Sequence, residues 1–249
     1  MGGLSRFGRI VFGLAMVLFG MLYLFHSRGA VPAPGPPWTA ETGVWAGLIG
    51  AGFIVAGLCI VIRRWARAAT VLLAAVFLLR VLVVFLPQLF ANVRDPGPWT
   101  TGAEVMMLGA AALGLAGELE LSNSMSWESL VLVGRSLFAA GLVVVGVQHF
   151  LYAAFIATLI PRWIPGHLFW AYFVGGAFFA AALSLATKIQ GRLAAALLGL
   201  MFLLWVIVLH IPRVAASPHN GNEWTSAIVA LAMCGGSFVL AGALRPVEH

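Results

Sequence analysis

Eight apolar runs divide this 249-residue chain, and each is long enough to cross a bilayer. They fall at roughly 8–26, 42–62, 67–88, 100–117, 131–153, 167–187, 191–211 and 224–244. A spanning helix needs about 20 mainly apolar residues. Backbone N–H and C=O groups find no water inside the hydrocarbon, so these runs predict helices rather than open strands. Short alternating segments of a membrane barrel would read quite differently. Composition excludes the soluble alternative: 62% of residues are hydrophobic and 9% are charged, whereas soluble domains carry about a quarter charged. So few charges cannot coat a soluble globule. The expected fold is all-α, a polytopic membrane protein with eight transmembrane helices.

The net charge of +6 and high pI of 10.4 do not point to nucleic acid, because the basic residues form no dense patch. They sit between the apolar runs, where they act as topology signals. Arg6, Arg9, Arg63, Arg64, Arg67, Arg135, Lys188, Arg192 and Arg245 fall on one side, and Arg28, Arg94, Arg162 and Arg213 on the other. That asymmetry predicts cytoplasmic N- and C-termini and a multi-pass protein of the cell (inner or plasma) membrane. Arg6 and Arg9 before Ile10–Phe25 resemble the start of a signal peptide. The run is too long for one and lacks a small-residue cleavage site, so a retained first span is expected.

The longest polar break, "GELELSNSMSWES", divides the chain nearly in half. "GRIVFGLAMVLFG" from Gly8 overlays "GRSLFAAGLVVVG" from Gly134, and "PWTTGAEVMMLGAAALGLAG" overlays "EWTSAIVALAMCGGSFVLAG" at an offset of 125. At that offset Trp45 falls on Trp170, Arg67 on Arg192, Pro87 on Pro212 and Trp99 on Trp224. Two four-helix units are expected, at 1–120 and 131–249, joined by a polar cytoplasmic linker at 121–130. An even number of spans per unit makes them parallel repeats. A unit with Arg on its first helix, a Gly-x-x-His-Phe end and a proline-containing loop resembles the DoxX family. Arg135, Gly146, His149, Phe150, Pro161 and Pro165 carry the resemblance; the first unit keeps Arg9, Gly20, Pro32 and Pro36 but has Tyr23 and Leu24 in place of His149 and Phe150. The resemblance implies a setting in membrane redox systems, among them a thiosulfate:quinone oxidoreductase with a related membrane subunit. It transfers no catalytic residue.

Polar residues inside apolar runs are costly and usually face a bundle interior or cavity. "GVQHFLY" places Gln148, His149 and Tyr152 at the end of the fifth run, and His210 ends the seventh. On a helix, residues three or four apart share a face. Imidazole, amide and phenol can all donate to an oxygen acceptor, so these four are the candidate site for a quinone or similar ligand. The same groups also suit headgroup-level anchors or hydrogen bonds between helices. His26, His167 and His219 read as loop or interface residues, and His249 lies at the tail. Bis-histidine b-type haem through His149 and His210 is a weaker alternative, since no spacing demands it and no C-x-x-C-H motif occurs. No ligand spacing marks a metal site, and Cys59 and Cys234 read as buried hydrophobes.

Arg80 stands inside the third run, about 10 Å from its distal end, and Glu104 lies about 7 Å into the next. A buried guanidinium needs a partner, so an Arg80–Glu104 ion pair or water-linked contact is expected. Trp38, Trp99, Trp163 and Trp224 mark the interface as amphipathic anchors. Nucleotide and hydrolytic motifs are absent from the sequence. Three readings follow: an accessory or anchor subunit of a quinone-linked membrane complex with lipids, other subunits and a non-cytoplasmic soluble redox protein as partners; an autonomous enzyme or binder of a hydrophobic molecule; and, third, a transporter.

Overall fold

The computed structural model describes residues 2–27, 44–119 and 125–244, without the side chains of 26, 27 and 125–127. Pro32, Pro36, Trp38, Arg28, Arg245, His249 and the His26 side chain lie outside this description, as do residues 121–124 of the expected linker. The described chain is helical throughout, and eight stretches are long and apolar enough to cross a membrane. In order they are α1 (Gly3–Ser27), α2 (Val44–Ile62), α3 (Ala66–Arg80) continuing through a π-helical turn (Val81–Phe85) into α4 (Leu86–Ala91), and α5 (Pro96–Glu118). Then come α6 (Met125–Leu151), the short α7 (Ala153–Leu159), α8 (His167–Thr187), α9 (Gly191–Trp205) with a second π turn (Val206–His210) and α10 (Ile211–Ala216), and α11 (Gly221–Ala243).

Local chemistry recurs at the same spacing in both halves. Pro87 and Pro212 each follow a π turn. A proline lacks the N–H for the helical ladder and its ring crowds the carbonyl four residues back. Those carbonyls belong to Val83 and Val208, inside the two π turns, so the helix widens there instead of breaking. Asp95 and Asn220 cap α5 and α11, each side chain accepting from the N–H two residues on at 3.0 Å. Trp99 and Trp224 donate their ring N–H to the Val93 and Pro218 carbonyls at 2.9 Å, tying each preceding loop to its helix. Trp65 and Gln190 precede α3 and α9 in the left-handed region, at φ 56° and 52°.

Two arginines do more than report topology. The last carbonyls of a helix have no partner within it. Arg9 on α1 donates through Nη1 to Ile60 and Val61 at the end of α2, the latter at 2.6 Å. Arg135 on α6 donates likewise to Leu185 and Ala186 at the end of α8, the latter at 3.0 Å. Both are buried. A cation at a helix C-terminus also meets the negative end of its dipole.

The halves are joined crosswise. α1 packs on α2 and on α11, while α6 packs on α8 and on α5. α5 and α11 also touch, so the helices close into two rings sharing this central pair. The shared helices are the most buried spans, each with 67% of its apolar window inside the protein. Small residues permit the approach: a Cβ on Gly8 would meet the Gly235 carbonyl at 2.6 Å, and one on Gly134 would meet the Ala110 carbonyl at 2.7 Å. Close backbone contact of this kind drives helix association where lipid removes any hydrophobic advantage. Gly8→Val and Gly134→Val should each cost about 1–3 kcal/mol of stability. Thermal unfolding in detergent checks this, with Gly47→Val, which meets nothing within 4 Å, expected to unfold as the parent does.

Candidate functional site

The four polar residues singled out from the sequence line one cavity. Gln148, His149, Tyr152 and His210 all face a space of about 1160 Å³ enclosed by α5, α6, α7, α8, the α9–α10 span and α11. Its inner end is apolar, formed by residues such as Met107, Val145, Phe178, Met201 and Met233, and its polar groups collect toward the end where α6 stops and α5 begins. We call that end distal. α8 packs on α9 but makes no extended contact with the π turn or α10 beyond it, so the two spans diverge distally. Phe173 and Leu204, which flank this divergence, line the cavity and are 54% and 50% exposed. The cavity therefore opens sideways between α8 and the distal part of the seventh span.

Each polar group has a different degree of freedom. Gln148 is committed to the protein: its Nε2 donates to the Pro96 carbonyl at 3.2 Å, and its Oε1 accepts from Thr100 Oγ1 at 3.0 Å. It clamps the end of α6 to the first turn of α5, so one of the four candidates is packing glue. His149 donates from Nδ1 to the Val145 carbonyl at 2.8 Å, because a carbonyl only accepts. Its ring lies edge-on to Phe178 at 5.1 Å and parallel to Trp205 at 6.5 Å. Nε2 has no protein partner and is not among the occluded atoms, so it opens to the cavity. Tyr152 stands where α6 breaks into α7, and no hydrogen bond joins its phenol to Gln148 or His149 among the described residues. The expected shared face is interrupted by that break.

His210 ends the second π turn, with Nδ1 buried and unpartnered. Nearby Arg213 donates to Glu223 at 2.8 Å, bridging α10 and α11 at the distal rim. The sequence reading missed this pair. Its signal was an arginine just past one span and an acid at the start of the next, across a short turn. His167, the first residue of α8, is held by the Pro161 carbonyl of the α7–α8 loop at 3.1 Å, and neither it nor His219 lines the cavity. Among the described residues no three His, Cys, Asp or Glu side chains gather as a metal ligand set.

The Arg80–Glu104 ion pair is not formed among the described residues. Arg80 instead lies 6.0 Å from the Phe85 ring centre, one π turn along its own span. The reason is rotational. α5 turns Gly102 toward Phe85, whose Cβ would sit 3.2 Å from an added Cβ. Glu104, two residues on, is rotated about 200° around the helix and faces the cavity with Thr100 and Met107. Glu104 thus joins the site from the other half of the chain.

Comparisons with protein-family models, curated proteins and solved structures find no match to this chain. Gln148→Leu should destabilise the protein by about 1–2 kcal/mol, since it removes both hydrogen bonds that tie α6 to α5 while Thr100 keeps its bond to the Pro96 carbonyl. Denaturation in detergent, read by tryptophan fluorescence, checks this.

Proposed function

We propose that this protein holds a lipid-soluble ring compound of the quinone class in the cavity of its second half, and serves as an accessory subunit of a membrane redox complex. The observation that carries the proposal is a single apolar chamber whose open polar groups, His149 and Glu104, lie toward one end. Ligand sites are commonly apolar pockets with a few converging polar groups. The aromatic rings of Phe178 and Trp205 around His149 suit a flat head group, and the sideways opening suits entry from lipid. The redox setting rests on the DoxX resemblance of Arg135, Gly146, His149 and Phe150.

The paired features at offsets of 125 residues for the π turns and 126 for the arginine caps support a tandem duplication. Tyr23, Phe53 and Phe77 form a ring stack in the first half, where His149, Phe178 and Phe202 stand in the second. The second half thus has an imidazole where the first has a phenol. The excess of arginine on the side of Arg6, Arg63 and Arg192 supports cytoplasmic termini in a cell membrane. A second reading, an autonomous binder of a hydrophobic molecule, is favoured by the fact that this chain supplies every described wall of the chamber.

Protein purified from its own membrane should carry an extractable quinone-class lipid, identified by mass spectrometry, which His149→Ala loses while its unfolding temperature stays within a few degrees. A ligand-free wild type would refute the binding proposal, and a partner-free native complex would favour the autonomous reading. Reporters fused at either terminus should be reached only from the cytoplasmic face.

A further inference from the structure

Resting on that ligand-binding reading, we infer that the chamber selects ligands whose head group donates a hydrogen bond, namely a free ring hydroxyl, over the same ring without one. The argument begins with the His149 tautomer. Nδ1 must carry the hydrogen because it bonds the Val145 carbonyl at 2.8 Å. In a neutral imidazole the other nitrogen is then an acceptor. That nitrogen, Nε2, is the one open to the cavity. A ring carbonyl or ether brings only lone pairs to it, whereas a hydroxyl brings a proton donor, so within the proposed quinone class the site favours the reduced, hydroxyl-bearing form.

Glu104 adds a second acceptor at a similar depth. The Gln148–Thr100 bond fixes the register of α5 against α6. Glu104 lies one turn, about 6 Å, deeper than Thr100. The His149 ring folds back along α6 by one turn, as its bond to Val145 requires. Both groups therefore meet the ligand below the Gln148 clamp. Glu104 forms no ion pair and no hydrogen bond with a described residue, and its oxygens are not among the occluded atoms. A carboxyl group accepts in either protonation state. Thr100 donates within the clamp, Gln148 spends one amide N–H on the Pro96 carbonyl, and Tyr152 lies one turn distal to Gln148, above this depth. The free hydrogen-bonding capacity at this depth is thus weighted toward acceptance.

The selectivity follows from unpaired groups. A site built around acceptors loses more when the ligand cannot donate than it gains from apolar contact alone, because its desolvated acceptors stay unsatisfied. Ring ligands differing only in O–H against O–CH₃ share the same walls and tail, so they isolate this one term.

The test uses the full-length protein in lipid nanodiscs with two probes, a para-alkylphenol and its O-methyl ether, followed by quenching of tryptophan fluorescence. The phenol should bind roughly tenfold more tightly than the ether, the ratio one hydrogen bond supports. His149→Phe should bring that ratio close to unity, with thermal unfolding in the same nanodiscs showing that the variant is folded. His149→Gln, which retains an acceptor oxygen, should recover part of the preference. Equal binding of phenol and ether to the wild type overturns the inference but leaves the ligand-binding reading intact. A tenfold preference that persists in His149→Phe also overturns it. Failure of both probes to bind sinks the inference together with the reading it rests on.

Discussion

The arrangement of all eight spans depends on two places where helix backbones come nearly into contact. Gly8 lies against the α11 backbone around Gly235 and Val239, and Gly134 lies against α5 at Ala110 and Gly114. In lipid, apolar side chains gain little by leaving the solvent for one another, so tight backbone approach must supply the attraction. These contacts place the first helix of each half on the last helix of the other. The central pair α5 and α11 is consequently buried by both rings, and a wall of the second-half chamber comes from the first half. Pro96, Gly97, Thr100, Glu104 and Met107 line a space otherwise framed by residues beyond 140.

Interior satisfaction of backbone groups explains several features that otherwise look unrelated. Arg9 and Arg135 serve the exposed carbonyls where α2 and α8 end, and the π turns absorb the conflict that Pro87 and Pro212 create. Each is a local answer to the absence of water. The buried guanidiniums are therefore structural, while His149 Nε2 and Glu104 line the chamber without a hydrogen-bond partner among the described residues.

The spans were legible because hydropathy in lipid is a strong constraint on twenty consecutive residues at a time. The gathering of Gln148, His149, Tyr152 and His210 around one space was legible too, since polar groups at membrane depth must face inward. What each of them does was not. The roles of Gln148 and His149 depend on which carbonyls, Pro96 and Val145, come within reach. Arg80 and Glu104 form no direct ion pair, because depth along a helix can be read from residue counts, whereas the direction a residue faces depends on the whole packing. Gly102 claims the side of α5 facing Phe85, and Glu104 is left to the opposite side. The prolines signalled a local disturbance, but whether a helix kinks, breaks or widens is decided by its neighbours.

The divergence of α8 from the distal end of the seventh span has a thermodynamic corollary. A mouth that faces acyl chains draws on the surrounding leaflet as its reservoir. Occupancy then tracks the mole fraction of a compound dissolved in that leaflet, and aqueous concentration matters only through partitioning. On the proposed ligand-binding reading, a distal opening would be fed directly from one leaflet. Molecules in the other leaflet reach it only after crossing the bilayer midplane, so leaflet asymmetry alone could regulate filling without any change in the protein.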